Sequence, residues 1–168
     1  FWNSPAAIVF VQIFTLGLVI GIFLNSLQKN LNIPIKWIWL ASIVSAISPI
    51  NLVLVNTIWK DIFYTVAVLA ISVIFFNISI KYSYWLKRKK NILILSILLA
   101  LVFLLRWNGL SVTIGCLISM YILYKDNLKE LATISFITLL LIMIVRGPLF
   151  NQLKIQTSEW FLYTLPIL

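Results

Sequence analysis

Three short polar segments interrupt an otherwise apolar sequence, and their residue types could do chemistry. They are the Lys-Asp pair at 60–61, the Arg-Trp-Asn segment at 106–108, and Arg146 before a Gly-Pro pair. Basic side chains hold phosphate and other anions, a carboxylate can orient a polar ligand or accept a proton, and an amide offers both a donor and an acceptor. These segments predict a site for a ligand that is both anionic and polar.

Lys60 and Asp61 cannot pair with each other on a helix, because adjacent side chains point roughly 100° apart. Each needs a partner of its own, and Arg106 is the basic residue that we expect near Asp61. A plainer alternative makes Asp61 a first-turn acid that complements the helix dipole after a cap at Asn56 or Thr57. In that case Lys60 only reaches the lipid head groups.

The composition indicates that these residues lie in a membrane protein. Of 168 residues, 62% are hydrophobic and only 10% are charged, and the mean hydropathy is +1.09. A soluble domain of this size could not hide so much apolar surface, since charged residues normally supply about a quarter of a chain. We therefore expect a lipid bilayer around the chain.

Some kinds of site are excluded by composition. The chain has no His and a single Cys, which removes zinc sites, haem ligation by His and Ser-His-Asp catalysis from these residues. The net charge of +9 would suggest nucleic acid in a soluble protein, but here the basic residues stand between apolar segments. We expect no nucleic-acid partner and see no evident cofactor, while a divalent metal stays open.

The apolar segments predict an all-α fold, because an open sheet edge cannot exist in hydrocarbon. With a window of about twenty residues the sequence gives about six spans and the start of another at 160–168. We expect one incomplete helical domain over 1–168, cut from a longer protein. The six predicted spans are 5–25, 35–57, 62–80, 91–105, 110–124 and 131–145.

The basic residues divide unevenly between the two sides if each segment crosses once. One side has nine of the thirteen, and the other has only Lys60, Arg106, Arg146 and Lys154. The positive-inside rule then places the first set in the cytoplasm and the three polar segments outside, in a plasma membrane. The nine are Lys29, Lys36, Lys81, Lys87, Arg88, Lys89, Lys90, Lys125 and Lys129.

The later spans are too short for the bilayer. The segment 91–105 gives roughly 22 Å of helix against a hydrocarbon core of about 30 Å. Its outer end would stop below the surface, so that Arg106, Asn108 and Arg146 line a recessed aqueous vestibule, since an arginine facing lipid at that depth is costly. The alternative is that the helices continue past their apolar stretches and the arginines extend to the head groups.

One family shares these segments. Pro49, the sequence Trp-Lys-Asp-Ile-Phe at 59–63 and Arg-Trp-Asn-Gly at 106–109 resemble the membrane part of GT-C superfamily glycosyltransferases. The nearest likeness is to bacterial relatives of the protein O-mannosyltransferases and of the lipid A aminoarabinose transferase. The resemblance implies an enzyme that transfers a hexosyl or pentosyl group from a polyprenyl-phosphate donor to an acceptor at the outer membrane face.

The resemblance also implies roles for single residues. Lys60 and Arg106, with Arg146, would hold the donor phosphate, and Asp61 would be a supporting acid. The family's main catalytic acid stands upstream of such helices, so we expect the main base outside this chain. Two further residues would contact substrate, namely Trp107, which otherwise anchors the chain at the interface, and Asn108.

Two other functions remain open. A transporter or flippase for a lipid-linked or anionic substrate also places charge at broken helices, but it should carry ionisable groups near the midplane. A structural subunit without a site would keep each charge only for contact with the head groups. In this sequence the polar segments gather on one side, which favours the enzyme.

Overall fold

The computed structural model describes residues 5–48, 60–106 and 108–149, and within these ranges the chain is helical with no strand. A short 3₁₀ turn, Lys125–Asn127, precedes the last helix, and a π-helical turn, Val145–Leu149, extends it. The predicted all-α class is confirmed. The six α-helices are α1 Pro5–Leu31, α2 Ile35–Ile47, α3 Lys60–Leu86, α4 Lys89–Leu105, α5 Gly109–Leu123 and α6 Leu128–Ile144.

Three helical segments are long and apolar enough to cross a membrane, namely Ala6–Leu31, Asp61–Ile80 and Lys125–Pro148. The helices α2 and α5 are apolar but shorter. The second half of the second predicted span and the predicted start of another lie outside the described residues. The chain is thus a helical membrane protein, and its described residues contain three segments with the length and composition of a membrane span.

Helix α1 continues beyond its predicted end because a polar cluster joins it to α3. Asn30 Nδ2 donates to Asn77 Oδ1 over 3.0 Å, and Asn77 Nδ2 donates to Ser26 Oγ over 3.1 Å. Hydrogen bonds between side chains are a common contact between helices in lipid. The helix ends at Leu31. The next residue, Asn32, has a left-handed φ of 52°, and Pro34 precedes the start of α2.

Helix α4 occupies the centre of the bundle and packs against α3, α5 and α6. Its residues Leu95, Leu99 and Val102 have no exposed surface and belong to the main apolar core. Only Lys87 and Arg88 separate α3 from α4, so the two helices form a tight antiparallel hairpin. The hairpin brings the start of α3 and the end of α4 to the same end of the bundle.

Polar contacts link α4 to its two later neighbours. Thr113 Oγ1 of α5 donates to the Leu99 carbonyl over 3.1 Å. Thr138 Oγ1 of α6 donates to the Ser96 carbonyl over 3.4 Å, and Ser96 Oγ in turn contacts the Ile134 carbonyl over 3.4 Å. These buried hydroxyls hold the helices together where apolar side chains alone give no preference over lipid.

The outer faces of the helices are apolar, as a lipid environment requires. Phe10 and Phe14 on α1 and Phe136 and Met143 on α6 are all exposed. Helix α2 has no fully buried residue, and its apolar side chains Trp37, Trp39 and Val44 are exposed. An apolar surface of this extent is stable only when something other than water covers it.

The two ends of the bundle differ in charge. Helices α1 and α3 run in parallel, since Val19 packs with Ile62 while Asn30 bonds Asn77. We call the end formed by Lys29, Lys36, Lys87 to Lys90, Lys125 and Lys129 the basic end. The opposite end, which we call the polar end, carries Asp61, Arg106, Asn108 and Arg146.

Candidate functional site

Four helix ends meet at the polar end: the first turns of α3 and α5 and the last turns of α4 and α6. The connection from α4 to α5 is very short, because Arg106 adopts an extended backbone and its carbonyl accepts a hydrogen bond from the Gly109 N–H over 2.9 Å. A Cβ atom at 109 would overlap the Val102 carbonyl oxygen. Glycine is therefore required for α5 to start this close to α4.

The four ends surround a cavity of about 400 Å³. The charged and polar side chains around it are Asp61 from α3, Arg106 and Asn108 from the α4–α5 connection, and Arg146 from the π-helical turn. Phe103 and the last two leucines of α4 form its apolar wall. The structure thus brings four residues that the sequence places far apart around one space.

Asp61 and Arg106 form an ion pair across the hairpin, the partnership expected from the sequence. Asp61 Oδ1 lies 3.7 Å from Arg106 Nε, and the two side chains are 32% and 45% exposed. The same oxygen is shielded from solvent and makes no hydrogen bond to any residue that the structure describes. At 3.7 Å the contact is electrostatic and too long for a hydrogen bond, so Oδ1 keeps its capacity to accept one.

Each arginine also lies over an aromatic ring. Arg106 Cζ is 5.7 Å from the centre of the Tyr64 ring, and Arg146 Cζ is 4.8 Å from the centre of the Phe103 ring. Both distances are within the range of about 6 Å for cation–π attraction. Sequence reasoning missed both aromatic residues, although Tyr64 follows Asp61 by three positions, a spacing that puts two side chains on the same helix face.

Arg146 differs from its expected setting. The sequence predicts that the last of the six spans ends at 145, whereas α6 continues as a π-helical turn that contains Arg146, Gly147 and Pro148. Proline has no N–H to donate and its ring collides with the carbonyl four residues earlier in a regular helix. The wider π turn accommodates Pro148 without ending the helix.

Several other residues that the sequence places at the site are outside the described residues, in whole or in their side chains. Lys60 is the first residue of α3, but its side chain is outside the described residues. Trp107, Pro49, Asn56 and Thr57 are outside them too. Asp61 does lie in the first turn of α3, which also agrees with the alternative in which it only complements the helix dipole.

The described charges around the cavity sum to a positive excess, with two guanidinium groups against one carboxylate. Two helix N-termini and two C-termini meet here, so their dipoles largely offset one another and the side chains set the sign of the potential. No group of three His, Cys, Asp or Glu side chains able to hold a metal ion occurs in ranges 5–48, 60–106 and 108–149. The arrangement is suited to an anion that also presents a hydrogen-bond donor to Asp61.

Comparison of the chain with protein-family models, curated protein sequences and solved structures finds no match. The geometry of the polar end therefore carries the functional argument.

Proposed function

We propose that the chain is the membrane part of a glycosyltransferase that moves a sugar from a polyprenyl-phosphate donor to an acceptor. One observation supports this most directly: Asp61, Arg106 and Arg146 surround a single cavity at one end of a lipid-embedded bundle. A lipid-linked phosphate can enter such a cavity from the bilayer while its charge meets the arginines. The resemblance of 59–63 and 106–109 to GT-C enzymes points to the same chemistry.

In the proposed reaction the acceptor attacks the sugar carbon that carries the phosphate, and the bond from that carbon to the phosphate oxygen breaks. Negative charge then builds up on the departing lipid phosphate, and nearby positive groups stabilise it more than they stabilise the bound donor. Arg106 and Arg146, with Lys60, supply those groups. A general base other than these residues takes the acceptor's proton.

The remaining site residues contribute orientation. The Asp61 carboxylate, whose side chain is 32% exposed, accepts a hydrogen bond from a hydroxyl of the sugar or of the acceptor. Asn108 is exposed at the cavity rim and can both donate and accept. Trp107 provides a flat apolar surface for the substrate.

The proposed topology has about six crossings, with a further one beginning at 160–168. Helices α1 and α3 run in the same direction, which supports the predicted span 35–57 as a return crossing between them. The basic end faces the cytoplasm of a plasma membrane and the polar end faces outward, as the excess of Lys and Arg favours. The cavity then opens on the extracytoplasmic side.

The position of the charges favours transfer over transport. A transporter or flippase would place ionisable groups near the midplane. In this bundle the Asp61–Arg106 pair lies at the helix ends. The polar groups buried between α4 and its neighbours α5 and α6 are the hydroxyls of Ser96, Thr113 and Thr138. Hydroxyl groups of this kind join neighbouring helices, whereas the guanidinium groups at the polar end are suited to bind a phosphate.

The test measures transfer of a radiolabelled sugar from polyprenyl-phosphate donors in membranes that contain the protein. Arg106→Gln should lower transfer by roughly ten- to a hundredfold, because it removes positive charge near the departing phosphate and takes away the ion partner of Asp61. Lys129→Gln removes an exposed positive charge from the basic end and serves as the matched control, with unchanged transfer. Equal transfer by both variants, or no transfer by the wild-type protein with any donor, would contradict the proposal.

A further inference from the structure

The two arginines of the cavity have different neighbours. Arg106 is placed between the Asp61 carboxylate, 3.7 Å from its Nε, and the Tyr64 ring. Arg146 lies on the Phe103 ring, and no carboxylate within the described ranges comes within ion-pair distance of it. The positive charge of Arg106 is thus partly compensated by an acid on α3, while that of Arg146 is not.

An aromatic ring can hold a guanidinium group in place and still leave its N–H donors free to bind an anion. The ring attracts the cation through its π face and offers no oxygen acceptor, so the fork of N–H donors stays available for a phosphate. A carboxylate competes with the phosphate for the same charge. Of the two arginines, Arg146 is therefore the better prepared for a direct, two-pronged contact with an anion.

The backbone supports the same assignment. Arg146 stands in the π-helical turn at the end of α6, while Phe103 is in the last turn of α4, so the contact joins two helices at the cavity wall. Arginine has several rotatable bonds and loses considerable freedom when a ligand immobilises it. A ring that already restrains the group lowers that loss, which is the general benefit of a preorganised site.

We propose that Phe103 is a positioning residue: its ring fixes the Arg146 guanidinium, and Arg146 rather than Arg106 makes the direct contact with the ligand phosphate. This assignment rests on the proposed function for the identity of the phosphate, a polyprenyl monophosphate group. Arg106 then acts at longer range and mainly orients Asp61. Phe103 also lines the cavity wall, but it acts on the ligand phosphate through the arginine that it holds.

The experiment measures equilibrium binding of a polyprenyl monophosphate to the protein in nanodiscs. Inorganic phosphate and the phosphate-free polyprenol are tested as separate ligands, which distinguishes a lipid phosphate from a free one. The variants are Phe103→Leu, Phe103→Trp, Arg146→Gln, Arg106→Gln and the double variant of Phe103→Leu with Arg146→Gln. Thermal unfolding of each variant checks that the bundle is intact.

We expect Arg146→Gln to weaken binding roughly ten- to a hundredfold, because hydrogen bonds to charged groups are lost. Phe103→Leu should weaken it roughly three- to thirtyfold, while Phe103→Trp restores wild-type affinity, since a tryptophan face attracts cations best. The double variant should bind no more weakly than Arg146→Gln alone, because Phe103 acts through that arginine. Arg106→Gln should cost less than Arg146→Gln.

Three results would overturn the assignment: additive losses in the double variant, a Phe103→Trp variant as weak as Phe103→Leu, or a larger loss for Arg106→Gln. If sugar transfer persists in those preparations, only the assignment fails and the proposed function stands. If inorganic phosphate binds with the expected pattern while the polyprenyl phosphate does not bind, the Arg146 contact is supported and the proposed function fails. Wild-type protein that binds no phosphate in either form overturns both.

Discussion

Asp61 and Arg106 stand at the two open ends of the α3–α4 hairpin, and their side chains meet there, with Asp61 Oδ1 3.7 Å from Arg106 Nε. The pair is about a third to half exposed, so water screens it and its contribution to stability is under about 1 kcal/mol. The pair matters more for the electrostatic potential of the cavity. Asp61 partly compensates the charge of Arg106, and the charge of Arg146 is left uncompensated within the described residues. Variants at this pair should therefore change function more than folding.

Asp61→Asn separates binding from turnover. Removing the carboxylate raises the positive charge around the cavity, so affinity for the lipid phosphate should rise about two- to fivefold, as expected for a partly screened charge. Transfer should fall at saturating donor, because the acceptor or sugar loses its carboxylate contact. Steady-state kinetics with donor and acceptor varied separately would show this as a lower KM for donor with a lower kcat. Weaker donor binding in this variant would contradict the electrostatic account.

Gly109→Ala should destabilise the bundle. The new methyl group overlaps the Val102 carbonyl, so α5 has to move away from α4, at a cost of about 1–3 kcal/mol. Gly115→Ala is the matched control in the same helix, because nothing lies within 4 Å of its added Cβ and alanine favours helix. Thermal unfolding in detergent micelles should give a lower Tm for the first variant and an equal or higher Tm for the second. A Tm for Gly109→Ala equal to that of the control would argue against the close approach.

Asn77→Ala tests the polar cluster between α1 and α3. The change removes the bonds to Asn30 and Ser26, and bonds of this kind are each worth about 0.6 kcal/mol in membranes. A loss of roughly 1 kcal/mol in the free energy of unfolding is expected, with sugar transfer unchanged because the cluster lies away from the cavity. Ser72→Ala is the control, since Ser72 is exposed and bonds only the Val68 carbonyl of its own helix. Equal stability of the two variants would show that the cluster contributes nothing to packing.

The topology predicts opposite labelling of the two ends. In a Cys116→Ser background, which removes the chain's single Cys, Lys87→Cys should react with a membrane-impermeant thiol reagent only after the membrane is opened. Asn108→Cys, which is also exposed, should react in intact cells. The Lys87 position is in the basic end and Asn108 is at the cavity rim. Labelling of both positions from the same side would refute the proposed arrangement of spans.

Much of the fold is predictable from the sequence because lipid imposes a simple rule on long apolar segments. The helices α3 and α4 contain the predicted spans 62–80 and 91–105, and the polar segments fall at their ends. The contacts between helices are harder to predict, since apolar residues face lipid and core alike and the usual amphipathic period is lost. This is why Phe103 and Tyr64 could not be distinguished from lipid-facing aromatics.

The π-helical turn could not be read from the sequence for a related reason. Pro148 indicates that a regular helix cannot continue, yet it does not tell whether the chain turns away or widens. The structure shows the second outcome. Arg146 is therefore placed by the helix α6 itself and not by a loop.

The order of the helices along the chain has a consequence for biosynthesis. Asp61 leaves the ribosome before Arg106. The Arg106 guanidinium therefore enters the membrane when its counter-charge is already present on the preceding helix, α3. Arg146 leaves the ribosome after Phe103, so the ring on α4 that it contacts is already present. Each arginine thus finds a partner that was synthesised earlier, which shields it from lipid during insertion, when an isolated charge is most costly.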